Sequence, residues 1–274
     1  MTVYPFVVHV GGFTITGYGI LMMVGFLMGG WVYARELERR GMDTAIAWDT
    51  VVLAIVGGLA GSKTYYAISV GDIRALVTRG GLVWYGGLFG AAAVIFLWMW
   101  WRRLPTRTLL DAISPSLAVG YLLGRVGCFL VNDDYGRPTQ LPWGMVFPLG
   151  APPSTAANLE QMFGVTLPPG TPPTELIAVH PTQLYEIAMM FVVLVLLWRW
   201  RTHKHASGWL FGVFLVLSSI ERIIVEVFRA KDDRVLGPVS VAQLLSLALT
   251  GIGAWILWRC RAPREAVREV RSQG

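Results

Sequence analysis

Seven stretches of the chain keep nearly unbroken runs of apolar side chains for roughly the ~20 residues that a helix needs to cross ~30 Å of hydrocarbon. They fall near 13–34, 48–70, 83–101, 108–130, 181–200, 208–229 and 238–259, the third somewhat short and the fourth and sixth ending in charge. Basic positions between them choose an orientation. Arg35, Arg39 and Arg40, then Arg102, Arg103 and Arg107, then Arg199, Arg201 and Lys204 all fall on one side, and Arg259, Arg261, Arg264, Arg268 and Arg271 join them there. The positive-inside rule makes that side cytoplasmic, with the N-terminus outside. The expected fold is an all-α integral membrane protein with seven transmembrane helices, residues 1–262 forming the membrane domain and 263–274 a basic cytoplasmic tail. The longest outer connection, 138–180, holds Pro138, Pro142, Pro148, Pro152, Pro153, Pro168, Pro169, Pro172 and Pro173. It cannot be one long helix, and with the residues from 131 it reads as an extracytoplasmic cap or arm.

Composition agrees. Hydrophobic residues are 54% and charged residues 15%, where a soluble domain would carry about 25% charged. Tryptophans at segment ends (Trp98, Trp100, Trp101, Trp198, Trp200, Trp255, Trp258) fit an interfacial belt. The net charge of +6 reports topology first, and no nucleic-acid module is present. Met1 to Pro5 lacks a basic n-region, so no cleavable signal peptide is expected. No internal repeat supports an inverted-repeat transporter. Cys128 and Cys260 fall at opposite faces in this topology, which excludes a disulfide, and their spacing fits no metal site. Neither metal nor cofactor is expected.

Charge inside apolar spans is costly and retained only with a partner or a task. The fourth span carries Arg125 beside Gly120, Gly124 and Gly127. That face serves either helix packing with a snorkelling arginine or close approach to an anion. The sixth ends with Arg222, Glu226 and Arg229 at i, i+4, i+7, a helical row that is either a self-satisfied ion pair or a phosphate fork oriented by its glutamate. The fifth opens His180-Pro181-Thr182-Gln183-Leu184-Tyr185-Glu186. Proline suits a helix start, His180 serves as a general base or as a hydrogen-bonding residue, and Gln183 and Glu186 can point inward together. Gly57 and Gly61 form a small-xxx-small pair followed by Lys63, which needs a carboxylate or a phosphate. The glycines around Trp84 and Tyr85 allow a backbone or a headgroup to come close.

Taken together, Gly124-Arg125-Val126-Gly127 running to Tyr135-Gly136-Arg137, the His180–Glu186 stretch and the Arg222–Arg229 stretch resemble the prolipoprotein diacylglyceryl transferase family. Tyr18-Gly19, Trp84-Tyr85-Gly86-Gly87-Leu88-Phe89-Gly90 and Ala242-Gln243-Leu244-Leu245-Ser246 match in the same order. The resemblance implies a seven-span bacterial inner-membrane enzyme. Such an enzyme moves diacylglyceryl from phosphatidylglycerol to the lipobox cysteine thiol of a prolipoprotein signal peptide and releases glycerol phosphate. It implies that Arg125 and Arg222 hold the lipid phosphate, that Glu226 supports the second arginine, and that Tyr18, Gly136, Gln183 and Glu186 line the site. With the residue reading, the expected catalytic set is Arg125, Arg222, Glu226, Asp133 and Tyr85, and Lys63, Arg137, His180 and Arg229 join the lipid-binding set. The chain departs from the pattern at Cys128, where many members have asparagine, at Asp133, where many have glutamate, and at Tyr85, where some have histidine. As base, Asp133 and Glu226 rank ahead of Tyr85 and His180. Two other functions share these features: a non-catalytic phospholipid-binding or transport protein, and a phosphatidylglycerol-dependent transferase with another acceptor.

Overall fold

The computed structural model describes residues 1–11, 13–77, 81, 83–230, 234–236 and 239–263. Of the expected tail 263–274 only Pro263 is among them, and Arg79, Gly80 and Leu82 also lie outside. The order is β1 (Val7–Val10), β2 (Phe13–Thr16), α1 (Gly17–Arg39), α2 (Ala45–Val70), a 3-10 turn at Ile73–Val77, α3 (Trp84–Trp101), α4 (Thr106–Leu130), α5 (Ala156–Phe163), α6 (Thr182–Trp200), α7 (Trp209–Glu226), β3 (Arg234–Leu236), β4 (Val239–Ser240) and α8 (Val241–Arg259).

Among the described residues, α1, α2, α3, α4, α6 and α8 are the six helices long and apolar enough to cross a membrane. Helix α7, the sixth expected span, is 18 residues long and carries Glu221, Arg222 and Glu226 toward its end, so it does not join them by composition. Large apolar side chains stand exposed along the helices, among them Val52, Val56 and Leu59 of α2 and Phe191, Val192 and Val195 of α6. Such faces suit lipid and not water. The chain is a multi-pass membrane protein.

The first expected span, 13–34, starts later than its hydropathy, because Phe13–Thr16 pairs antiparallel with Val7–Val10 in register Val7↔Thr16. Two β-branched runs flank Gly11-Gly12, a dipeptide suited to the positive-φ turn of a tight hairpin, and Gly11 has φ 58°. The hairpin was not read from the sequence.

The chain forms two compact units, one of Gly29–Ser116 and one of Met1–Met28 with Leu117–Gly274. In the first, Tyr33, Leu37, Ala47, Met99, Leu109 and Ala112 make a buried core. Helices α2 and α3 touch backbone to backbone there. A Cβ built on Gly61 would stand 2.7 Å from Gly90 Cα, and one on Gly57 would stand 2.9 Å from the Gly90 carbonyl. Only glycine permits that approach, so these glycines serve packing.

In the second unit, Met190, Val193, Leu197, Leu210 and Val213 form a core shared by α6 and α7. Within 131–180, Tyr135 stacks on Phe147 at 5.5 Å and meets Phe163 edge-on, while its hydroxyl donates to the Pro152 carbonyl at 2.8 Å. Backbone bridges Pro138↔Val179, Met145↔Val179 and Thr155↔Leu176 tie the prolines' segment together without a long helix.

Candidate active site

Three chain segments of the Met1–Met28/Leu117–Gly274 unit bring the charges together: the last turns of α4 with residues 131–137, the first turns of α6, and the end of α7 with residues 227–230. Glu186 is the centre. It is fully buried, and Arg125 Nε lies 2.8 Å from its Oε2 while Arg222 Nη1 donates to Oε1 at 3.1 Å. Arg229 Nη1 lies 3.9 Å from the same Oε1. Glu226 supports Arg222 through Nη2 at 2.8 Å, as the i, i+4 spacing requires.

Arg229 keeps its place beside Glu226, with Nε 3.8 Å from Oε2, but it stands beyond the helix. Helix α7 ends at Glu226, and the chain turns so that Arg137 N donates to the Phe228 carbonyl at 2.8 Å and Gly136 bridges Arg229. The guanidinium therefore arrives from a turn, with Nη2 on Asp134 Oδ1 at 2.7 Å. Gly136 is tightly enclosed: a Cβ there would stand 2.8 Å from both His180 Cβ and Thr182 Cγ2, and it would also strike the Phe228 carbonyl. Its backbone N–H donates to the His180 carbonyl at 2.8 Å. A side chain at Gly136 would push the 131–137 strap off α6.

Gln183 is fully buried and donates from Nε2 to the Asp133 carbonyl at 2.6 Å, and the Thr182 hydroxyl donates to the Asp134 carbonyl at 2.6 Å. These bonds fix the backbone of the two aspartates. Asp133 accepts from the Asp134 N–H at 2.7 Å. Burial, and then the Asp134 charge beside it, push the Asp133 carboxyl above its ordinary range. Asp134 behaves oppositely. Burial opposes its charge, but Arg229 and Arg125 outweigh burial and hold its carboxyl well below the usual range.

The other expected residues are placed as follows. Tyr18 stands in the first turn of α1 and packs on Gly127, whose Cβ would lie 3.3 Å from it. Arg137 commits its Nε to the Arg229 backbone carbonyl at 2.9 Å, which makes it a strap for the turn. His180 shares a hydrogen bond with the Tyr185 hydroxyl through Nδ1 at 3.0 Å, and burial pushes its pKa below the ordinary value. Lys63 of α2 and Tyr85, which meets Trp84 edge-on at 5.2 Å in the first turn of α3, belong to the Gly29–Ser116 unit. Among the described residues Cys128 and Cys260 form no disulfide.

Three residues of the cluster were not singled out from the sequence. Asp134 bridges Arg125 and Arg229. The Tyr121 hydroxyl lies 3.4 Å from Glu186 Oε1 and 3.5 Å from Glu221 Oε2, and Arg125 sits 5.1 Å over the Tyr121 ring. Glu221 carried a signal, since a buried carboxylate in an apolar helix needs a purpose. Guanidiniums held this way present planar forks that match phosphate oxygens and never lose their charge. Among the described residues no group of three or more His, Cys, Asp or Glu could hold a metal ion.

Residues 5–259 match the model of a family described as Prolipoprotein diacylglyceryl transferase. Similar relatives carry the name phosphatidylglycerol–prolipoprotein diacylglyceryl transferase. One from Nitratidesulfovibrio vulgaris is 30% identical over 95% of this chain and 95% of its own, and one from Rhodospirillum rubrum is 31% identical over 94% and 93%. A third, from Thermosynechococcus vestitus, is 29% identical over 92% and 90%. With a match across nearly its whole length and the arginine–glutamate cluster assembled from the segments that carry the resemblance, the chain belongs to the prolipoprotein diacylglyceryl transferase family.

Proposed function

We propose that this protein transfers the diacylglyceryl group of phosphatidylglycerol to the thiol of a lipobox cysteine in a prolipoprotein signal peptide, releasing glycerol phosphate. The observation that carries the reading is the meeting of Arg125 and Arg222 on one buried carboxylate, Glu186, in a chain of this family. The relatives' names supply the donor lipid and the acceptor protein class.

In the step, sulfur attacks the glyceryl carbon that bears the phosphate ester. The S–C bond forms as the C–O bond breaks, the electron pair leaves on the phosphate oxygen, and the thiol proton passes to a base. Negative charge gathers on the departing glycerol phosphate, so donors already fixed around it lower the barrier. Arg125 and Arg222 take that role, each oriented by a carboxylate before substrate arrives. Asp133 is the assigned base, because its surroundings raise its hold on a proton above that of an ordinary carboxylate. Glu226 is engaged by Arg222 at 2.8 Å and acts as its support. A thiol of pKa ~8.5 is already a few per cent thiolate at neutral pH, so a modest base suffices.

The reading includes seven crossings of the bacterial inner membrane, with α7 as one of them and the N-terminus outside. That topology puts the cluster and an extracytoplasmic cap of residues 131–180 on the outer side, within the membrane domain 1–262, and any basic tail beyond it in the cytoplasm. The test is purified protein with labelled phosphatidylglycerol, with and without a lipobox cysteine peptide. Release of glycerol phosphate is expected only with the thiol, and Arg125→Gln or Arg222→Gln should each lower it about 100- to 1,000-fold. Thiol-independent release, or near-native turnover in both variants, overturns the proposal.

A further inference from the structure

Among the described residues, ion pairs set the three guanidiniums of Arg125, Arg222 and Arg229 against the three carboxylates of Glu186, Glu226 and Asp134. A phosphodiester arriving on Arg125 adds a negative charge to this network, so one carboxylate must loosen. The three carboxylates differ in what loosening costs. Glu186 and Glu226 have side chains 0% and 5% exposed, and parting either from its arginines would strand a charge away from water. The Asp134 side chain is 32% exposed and can turn toward solvent.

Its backbone need not follow. Thr182 and Gln183 hold the carbonyls of Asp134 and Asp133 at 2.6 Å each, and the Asp134 N–H is held by Asp133 at 2.7 Å. Asp134 has φ 64°, a conformation that aspartate tolerates better than most residues. Only χ rotation is required. Its two oxygens now occupy Arg229 Nη2 at 2.7 Å and Arg125 Nη1 at 2.9 Å, bridging two guanidiniums as two oxygens of one phosphate would.

We propose that Asp134 is a displaceable counter-ion: it occupies the anion position between Arg125 and Arg229 until the lipid phosphate takes that position, and it returns to expel glycerol phosphate. The inference rests on the reading that Arg125 receives the phosphate. Asp134 is then a positioning residue. It keeps the guanidiniums aimed in the empty site and sets lipid affinity by competing for them.

The measurement is steady-state transfer from phosphatidylglycerol in mixed micelles to a lipobox peptide, with glycerol phosphate and inorganic phosphate as inhibitors. Asp134→Asn keeps the shape and tolerates the positive φ, and Asp134→Gly takes that backbone without strain should the amide disturb folding. Removing the competing charge should lower KM for phosphatidylglycerol about tenfold and strengthen inhibition by both anions by a similar factor, with no rise in kcat. Asp134→Glu, which keeps the charge, should restore inhibition toward native values. Unchanged or weaker binding of lipid and anions in folded Asp134→Asn or Asp134→Gly overturns the displacement. Arg125→Gln separates the two levels. If it abolishes turnover while the Asp134 variants bind no tighter, only the displacement falls; if it leaves turnover and anion inhibition intact, the phosphate reading itself falls.

Discussion

Two glycine-rich helix faces in this protein use the same spacing for opposite ends. On α2 and α3, Gly57, Gly61, Gly86 and Gly90 let two backbones meet, and a Cβ on Gly61 or Gly90 would lie 2.7 Å from the opposing glycine Cα. On α4, a Cβ on Gly120 or Gly124 would meet no described atom within 4 Å, and beside them Arg125 enters a cluster of ions. The first face is closed on itself and carries stability. The second leaves room next to a fixed guanidinium. Small residues in a membrane helix therefore announce close approach without saying what approaches, and the neighbouring polar residue decides between a helix and a ligand.

Among the substitutions, Glu186→Gln should have the largest effect. It leaves Arg125 and Arg222 without their shared carboxylate, which for a buried pair costs about 3–5 kcal/mol. Glycerol phosphate release should fall at least as far as in the arginine variants, and the melting temperature in detergent should drop with it. A stable, active Glu186→Gln protein would mean that the arginines are oriented by something else.

Gly61→Leu attacks the closed face instead. Overpacking of a tight contact costs about 1–3 kcal/mol, so melting should fall by several degrees while kcat/KM per folded molecule changes little. A larger loss of activity than of stability would show that the Gly29–Ser116 unit does more for the reaction than support it.

Titration separates the two aspartates. Asp133, with its raised carboxyl, binds its proton in the folded state before an ordinary carboxylate would, so its contribution to stability grows as pH falls from the folded pKa toward the unfolded value of ~3.9. Asp134, with its lowered carboxyl, contributes stability above ~3.9 that is lost as pH falls further. As the assigned base, Asp133 should also give kcat/KM an acid limb above the ordinary carboxylate range. Asp133→Asn should remove that limb; a limb that persists unchanged assigns the base elsewhere.

Much of this could be read along the chain, and the limits have physical causes. Hydropathy located the helices because apolar runs of membrane length have few alternatives, yet it ran four residues past the true start of α1, where Phe13–Thr16 alternates as a strand. Arg125, Gln183, Glu186, Arg222 and Glu226 were legible as charge or amide inside apolar segments; the four charged ones meet one another, and Gln183 holds the Asp133 carbonyl. Arg229 was legible as a neighbour of Glu226, but its reach to Asp134 was not, since a helical row assumes that the helix continues past Glu226. Asp134 was hidden for a different reason. Its partner Arg229 lies 95 positions away, and the bonds that hold its backbone, from Thr182 to its own carbonyl and from Gln183 to that of Asp133, join segments that no local pattern pairs.

Gly124→Ala adds one methyl where no described atom lies within 4 Å, in a helix interior where alanine is favoured over glycine by about 0.5–1 kcal/mol. The protein should therefore melt slightly higher, opposite in sign to Gly61→Leu. If the α4 face is where the headgroup approaches Arg125, the same methyl should raise KM for phosphatidylglycerol by a few-fold and leave KM for the acceptor peptide unchanged. A gain in stability with no change in lipid KM would place the headgroup on another side of Arg125, and a loss of stability would show that the α4 face is closed like that of α2 and α3.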